Sequence, residues 1–180
     1  MAQNSATTLA KDLINQSPII DEFNSSFEEH ESQEQNSFQD QDELKTHNRI
    51  RNNLCGTIIK LEQGASRVNL QTTKEMVVDD FGLIHSGFIA SAADYAASVA
   101  INEENLVIIA SRIKFLAPAK LNDLIEFTAK AKFEDSRKRE IRVSGYINEI
   151  HVFEGIFQAV ILENHILKAD IKHLKKMHIK

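Results

Sequence analysis

From Leu54 onward the apolar residues fall into short alternating or β-branched runs, and one long apolar segment interrupts them. Residues 57–61 and 67–73 flank a Glu62-Gln63-Gly64 turn, which predicts a β-hairpin. Four further runs, at 106–115, 123–133, 140–149 and 151–162, predict strands, with Glu134-Asp135-Ser136-Arg137-Lys138-Arg139 as a charged hairpin tip. Between the two groups, residues 85–101 read as a helix that is apolar around most of its circumference. Phe88, Ile89, Ala92, Ala93, Tyr95, Ala96, Val99 and Ile101 cover it, while Ser91, Asp94 and Ser98 share one narrow stripe at i, i+3 and i+7. Such a helix is buried. Two strands, one central helix and four strands with short links predict an α+β fold, an antiparallel sheet curled around one helix. One helix covers only one face of that sheet, so a second copy of the chain is expected to make a homodimer.

The two ends differ from this body. From Gln16 to Asp42 the chain is rich in Gln, Ser, Asn, Glu and Asp, and Phe23, Phe27 and Phe38 are too widely spaced to form a core. Leu9, Leu13 and Ile14 fit one short amphipathic helix. Residues 1–44 hold ten acids against Lys11 alone, whereas residues 45–180 carry 20 basic and 16 acidic residues, so the net charge of −5 describes neither part. The expected organisation is an acidic, disordered tail over 1–44, a folded domain over 45–163 and a basic amphipathic helix or tail over 164–180. The acidic tail is either a solvated extension or a docking segment for a protein partner. Lys168, Lys172, Lys175, Lys176 and Lys180 around Ile171, Leu174 and Met177 are either a solvated helix or a binder of an acidic surface.

Composition narrows the function classes. An acidic leading segment is repelled by phosphate backbones, which argues against nucleic-acid binding. Cys55 is the only cysteine, so no internal disulfide forms; placed on a strand over 54–61, it reads as a small core residue. No basic and apolar leader precedes a small-residue cleavage site, and the 81–101 stretch holds His85 and Asp94 without a basic flank. The chain therefore reads as soluble and cytoplasmic, with no membrane insertion. His165, His173 and His178 lack ligand spacing with carboxylates, so no metal is expected, and no Gly-rich phosphate loop or Ser-His-Asp set is visible.

Chemistry concentrates at Asp94. A carboxylate among alanines must be paired, hydrogen-bonded or held with a raised pKa, because an isolated buried charge is heavily penalised. The alternative is an Asp that only bonds neighbouring backbone.

The order of elements and the residues around His85 resemble the hot dog fold of acyl-CoA thioesterases. His85-Ser86-Gly87 followed by Asp94 is similar to the His-Gly-Gly and helical acid of the phenylacetate-pathway branch, with Ser86 in place of the first Gly. Phe115-Leu116-Ala117-Pro118-Ala119-Lys120-Leu121-Asn122-Asp123 resembles that family's aromatic, Pro, Gly-Asp turn, with Asn122 in place of Gly; Asn tolerates the left-handed backbone. The resemblance covers residues 50–163. The runs 110–115 and 143–149 also look like strands in the effector-binding half of the malonyl-CoA-responsive repressor of lipid synthesis, which binds acyl-CoA without hydrolysing it and has Asn where this chain has Asp94. The chain resembles the flagella-co-regulated hot dog virulence protein of epsilonproteobacteria as well.

The resemblance implies an acyl-CoA ligand and no other cofactor. Asp94 is then general base or nucleophile on a thioester held across the dimer interface. Unpaired amides at the helix start, around Gly87 and Phe88, would hold the thioester oxygen, and Gly87 allows close approach. His85 would contact the substrate or merely bond to backbone. Ser86 and Phe88 would line the substrate site, and Ser91 and Ser98 would orient Asp94 or a water, or bond back to the helix. Asp80 and His85 share the Asp-x4-His spacing of hot dog enoyl hydratases, but the Asn-Pro inside that motif and the acid after its His are missing. Arg137, Lys138 and Arg139, with Arg142, are candidates for a basic rim that meets the phosphates of CoA, or a solubilising turn.

Overall fold

The structure is a computed structural model that describes residues 43–132 and 137–168. A short helix α1 (Asn52–Cys55) leads into β1 (Thr57–Glu62) and β2 (Ala65–Gln71). A 3₁₀ turn at Lys74–Met76 precedes α2 (Ser86–Ile101), and β3 (Leu106–Phe115), β4 (Leu124–Lys132), β5 (Lys138–Ile147) and β6 (Ile150–Ile161) follow. The six strands form one antiparallel sheet in the order β1-β2-β4-β5-β6-β3. Its alternating residues Val68, Leu70, Ile125, Phe127, Ile141, Val143, Phe153 and Phe157 are buried against α2. The sheet wrapped on one helix is the hot dog arrangement that the sequence motifs lead one to expect.

Two local readings need correction. Cys55 lies on α1 and not on a strand, because Gly56 takes φ 93° and turns the chain before β1 begins at Thr57. β5 begins at Lys138, so Lys138 and Arg139 are strand residues and Arg137 directly precedes them; residues 134–136 of the expected tip, with 133 of the expected strand, lie outside the described residues. So do most of the two expected tails, 1–42 and 169–180.

The side of α2 away from the sheet is crossed by residues 43–55. Leu44, Ile50, Leu54 and Cys55 pack on the core there, so contact with the body begins ahead of residue 45. The two sheet edges are β1 and β3. β3 pairs only with β6, and Ile109 to Arg112 on it are exposed. No helix among the described residues is long and apolar enough to cross a membrane.

Candidate active site on the central helix

The start of α2 is built by His85. Its Nδ1 accepts from the Gly87 N–H at 2.9 Å, and its carbonyl accepts from the Phe88 N–H at 3.1 Å. A Cβ at position 87 would stand 2.7 Å from that same Nδ1, so glycine makes room for the imidazole. The Phe88 ring meets the imidazole edge-on at 6.2 Å. This corrects the expectation of unpaired amides at Gly87 and Phe88: both N–H groups are taken by His85, and an incoming oxygen must displace the imidazole to reach the first.

A cavity of about 380 Å³ opens beside this helix end. Its walls are apolar, from Val78, Leu83, Ile84, Ile89, Phe115 and Ala117-Pro118-Ala119, with His85 and Ser86 as its polar members. The turn that closes β3 shapes one wall. Asn122 adopts the expected left-handed conformation, φ 70°, and the Asp123 Oδ2 accepts from the Lys120 N–H at 2.8 Å. Bridged to that turn through Leu83 and Lys120 is the loop that Asp79 and not Asp80 organises, its Oδ1 accepting from the N–H groups of Phe81 and Leu83 at 3.0 Å each. Asp80 is exposed.

Asp94 sits two turns further along α2 and is half-buried. Burial pushes its carboxyl above the usual range for an aspartate, and nearby His47 pulls it part of the way back. Along its stripe, the Ser91 hydroxyl lies 3.3 Å from the Cys55 thiol, and Ser98 is fully buried with no hydrogen-bond partner for its Oγ. Neither serine is seen bonding back to the helix. The cavity is not lined by Asp94, Ser91 or Ser98.

The basic residues lie elsewhere in the chain. Gly64 N–H donates to the Ala100 carbonyl, and the Gly64 carbonyl accepts from Ala131 N–H, so the β4–β5 end of the sheet adjoins the C-terminal end of α2. Arg137, which pairs with Glu163, and Lys138 and Arg139, in register with Val160 and Ala159, belong to that end, far from His85. Sequence reasoning missed His47 and Asn102. The first stands in a polar stretch without periodicity; the second carried a signal, an Asn directly after an apolar helix.

The model of the thioesterase superfamily matches residues 81–149, the segment that holds the His85 cap, Asp94 and the Asn122 turn. A sigma28-regulated virulence protein from Campylobacter jejuni is 44% identical, with a TM-score of 0.68 over 69% of this chain and 89% of that one. A hypothetical thioesterase from Streptococcus pneumoniae, solved with coenzyme A, shares the fold at 18% identity, with a TM-score of 0.55 over 61% of this chain and 87% of that one. Methylthioribose-1-phosphate isomerase of Aquifex aeolicus is 36% identical over 138 residues, 77% of this chain, and the chain spans 30% of that protein's length. Together with a six-stranded sheet folded on a helix that carries one half-buried acid, these matches show that the chain belongs to the thioesterase superfamily.

Proposed function

We propose that the protein binds an acyl-CoA thioester and hydrolyses it, with Asp94 as general base or nucleophile. The observation that carries this reading is the Asp94 carboxylate itself, half-buried on the central helix and raised in pKa by that burial, in a thioesterase-superfamily chain. A raised pKa brings a carboxylate nearer the range where it accepts a proton effectively at neutral pH. In the reaction, the acyl C–S bond breaks, the acyl carbon gains an oxygen from water, and the CoA thiol leaves with the proton. The apolar cavity takes the acyl chain, Ser86 and the helix start face its carbonyl, and Gly87 N–H becomes the oxyanion donor once the His85 ring yields its place. The Streptococcus pneumoniae structure holds coenzyme A on the same fold, which supports CoA as the carrier.

In one chain the cavity and Asp94 lie on different faces of α2. The open β3 edge supports pairing with a second copy, whose Asp94 would complete the site; Arg137, Lys138 and Arg139 would then meet the CoA phosphates from the far end of the sheet.

One observation favours a second reading, a module that binds acyl-CoA without turnover: the amides expected to polarise the thioester are occupied by His85. Release of free thiol from a panel of acyl-CoA esters, with Asp94→Asn as control, decides between them. Hydrolysis predicts turnover of at least one ester and its loss in Asp94→Asn. No turnover, with CoA esters still raising the melting temperature, refutes hydrolysis and leaves the binding module.

A further inference from the structure

The cavity beside the start of α2 has a buried apolar end and an exposed mouth. Ile84, Ile89, Ala117 and Ala119 on its walls are buried, whereas Val78, Leu83, His85, Ser86 and Pro118 are exposed. Backbone bonds fix the walls to one another: the Ile84 N–H donates to the Ala119 carbonyl at 3.0 Å, the Leu121 N–H donates to the Gly82 carbonyl at 2.9 Å, and Leu83 is bridged to Lys120. Phe115 is held edge-on against Phe153 at 5.6 Å, and Phe153 against Phe127 at 5.8 Å. The space is therefore preformed. It exists because two of its wall residues, Ala117 and Ala119, are small where their neighbours Phe115 and Leu116 are bulky.

Given the reading of the protein as a binder of acyl-CoA thioesters, on which this rests, we infer that the cavity selects an uncharged aliphatic acyl group of about 8–12 carbons, with Ala117 setting the limit. A methylene fills about the same space as a water molecule in the liquid, about 30 Å³, so a cavity of about 380 Å³ takes roughly a dozen such groups. An acetyl or benzoyl group leaves about half of it or more empty, and wall atoms that face a void lose their contacts. Charge is excluded as well. Among the described residues none on the wall is cationic: His85 accepts through Nδ1, which leaves the ring proton on Nε2 and the imidazole uncharged. The loop that carries Val78 and Leu83 adds the acids Asp79 and Asp80, and Lys120, next to Ala119, is exposed and is not part of the wall. A carboxylate at the far end of an acyl chain would be buried there without a partner, which is heavily penalised.

The test is titration calorimetry of the full chain with S-alkyl-CoA thioethers from ethyl to hexadecyl, which bind without being hydrolysed, and with their ω-carboxyl counterparts. In wild type, Kd should fall about two- to fourfold per methylene up to about 8–12 carbons and then level off. The ω-carboxyl analogue of the best length should bind about tenfold more weakly or worse. Ala117→Leu adds about three carbons to the wall and should move the optimum about as far towards shorter chains; Phe115→Leu removes as many and should move it towards longer ones, so either variant reads out if the other fails to fold. A merely structural effect lowers affinity equally along the series. Affinity that is flat along the series, tightest for the ethyl or ω-carboxyl members, or with an optimum unmoved in the folded variants overturns the inference, while thiol release from acyl-CoA esters still supports hydrolysis. No thiol release beside a clear optimum at about 8–12 carbons refutes hydrolysis and leaves the chain-length selection standing.

Discussion

Replacing His85 by alanine removes the acceptor of the Gly87 N–H and the ring that meets Phe88 edge-on. Loss of an N-cap acceptor costs about 0.5–2 kcal/mol. Here the bond is exposed and water can take its place, which puts the loss in the lower half of that range; the ring contact with Phe88 adds a few tenths, for a total of about 1 kcal/mol. For a folded body of this size that is a fall in Tm of roughly 3–5 °C. Asparagine is among the best N-cap residues, and its Oδ1 accepts from the same N–H, so His85→Asn should recover most of the loss while carrying no imidazole. Urea unfolding followed by circular dichroism measures all three proteins. Equal midpoints for wild type and His85→Ala, or a His85→Asn protein no more stable than His85→Ala, would show that the cap seen at 2.9 Å contributes nothing. The same variants report on turnover: because His85 acts through the Gly87 amide, His85→Asn should hydrolyse acyl-CoA at close to the wild-type rate, and a deep loss in His85→Asn would instead mean that the imidazole touches the substrate.

For Asp94, burial raises the folded-state pKa above the unfolded one, so the folded state binds the extra proton and loses stability as the pH rises through that window. Asp94→Asn should therefore be more stable than wild type near neutrality, with the gap closing towards acid in paired urea melts; a gap independent of pH contradicts the assigned burial effect. At Gly56, φ 93° and a Cβ position 2.6 Å from Val68 Cγ1 and 3.0 Å from the Asn69 carbonyl leave no room for a side chain. Gly56→Ala should cost about 3 kcal/mol in chemical denaturation, and a cost below about 1 kcal/mol would mean that α1 and β1 can part freely. Finally, mixing Asp94→Asn chains with chains whose cavity is filled by Ala117→Trp should restore about a quarter of wild-type turnover if two copies share each site, since half of randomly paired dimers are mixed and each holds one intact site. Mixtures as inactive as their parents would place the whole site within one chain.

The features legible in the sequence are those set by near neighbours. The 62–64 hairpin turn and the apolar circumference of α2 each follow from a few adjacent residues, and each is found where the pattern puts it; the left-handed Asn122 is found where the family resemblance implied it. Cys55 was misplaced because a single glycine with positive φ, Gly56, ends α1 and resets the chain before an otherwise continuous apolar run. His47 was invisible for a different reason. Its position depends on bonds from Asn102 to residues 57 and 59 positions away, and no window of local pattern contains such a contact. The bond from His85 to the backbone of the helix start was one of two readings the sequence left open, because a histidine at the N-cap is an unusual choice; the residue types that announce a cap are Ser, Thr, Asp and Asn.

Helix geometry also fixes how the two chemical features of α2 relate. Ser86 and Asp94 are eight residues apart, which separates their backbones by about 12 Å along the axis and turns them by about 80° around it. Ile89, on the cavity wall, points another 60° or so to the opposite side of Ser86. A reacting pair must approach to about 3–3.5 Å. An aspartate side chain reaches far less than the axial distance alone, so an acyl carbonyl held by Ser86 and Gly87 is out of range of the Asp94 on the same helix. Hydrolysis by Asp94 therefore needs the carboxylate of a second chain, and the outer edge of β3, with Ile109 exposed, is one of the two sheet edges through which one could be brought in.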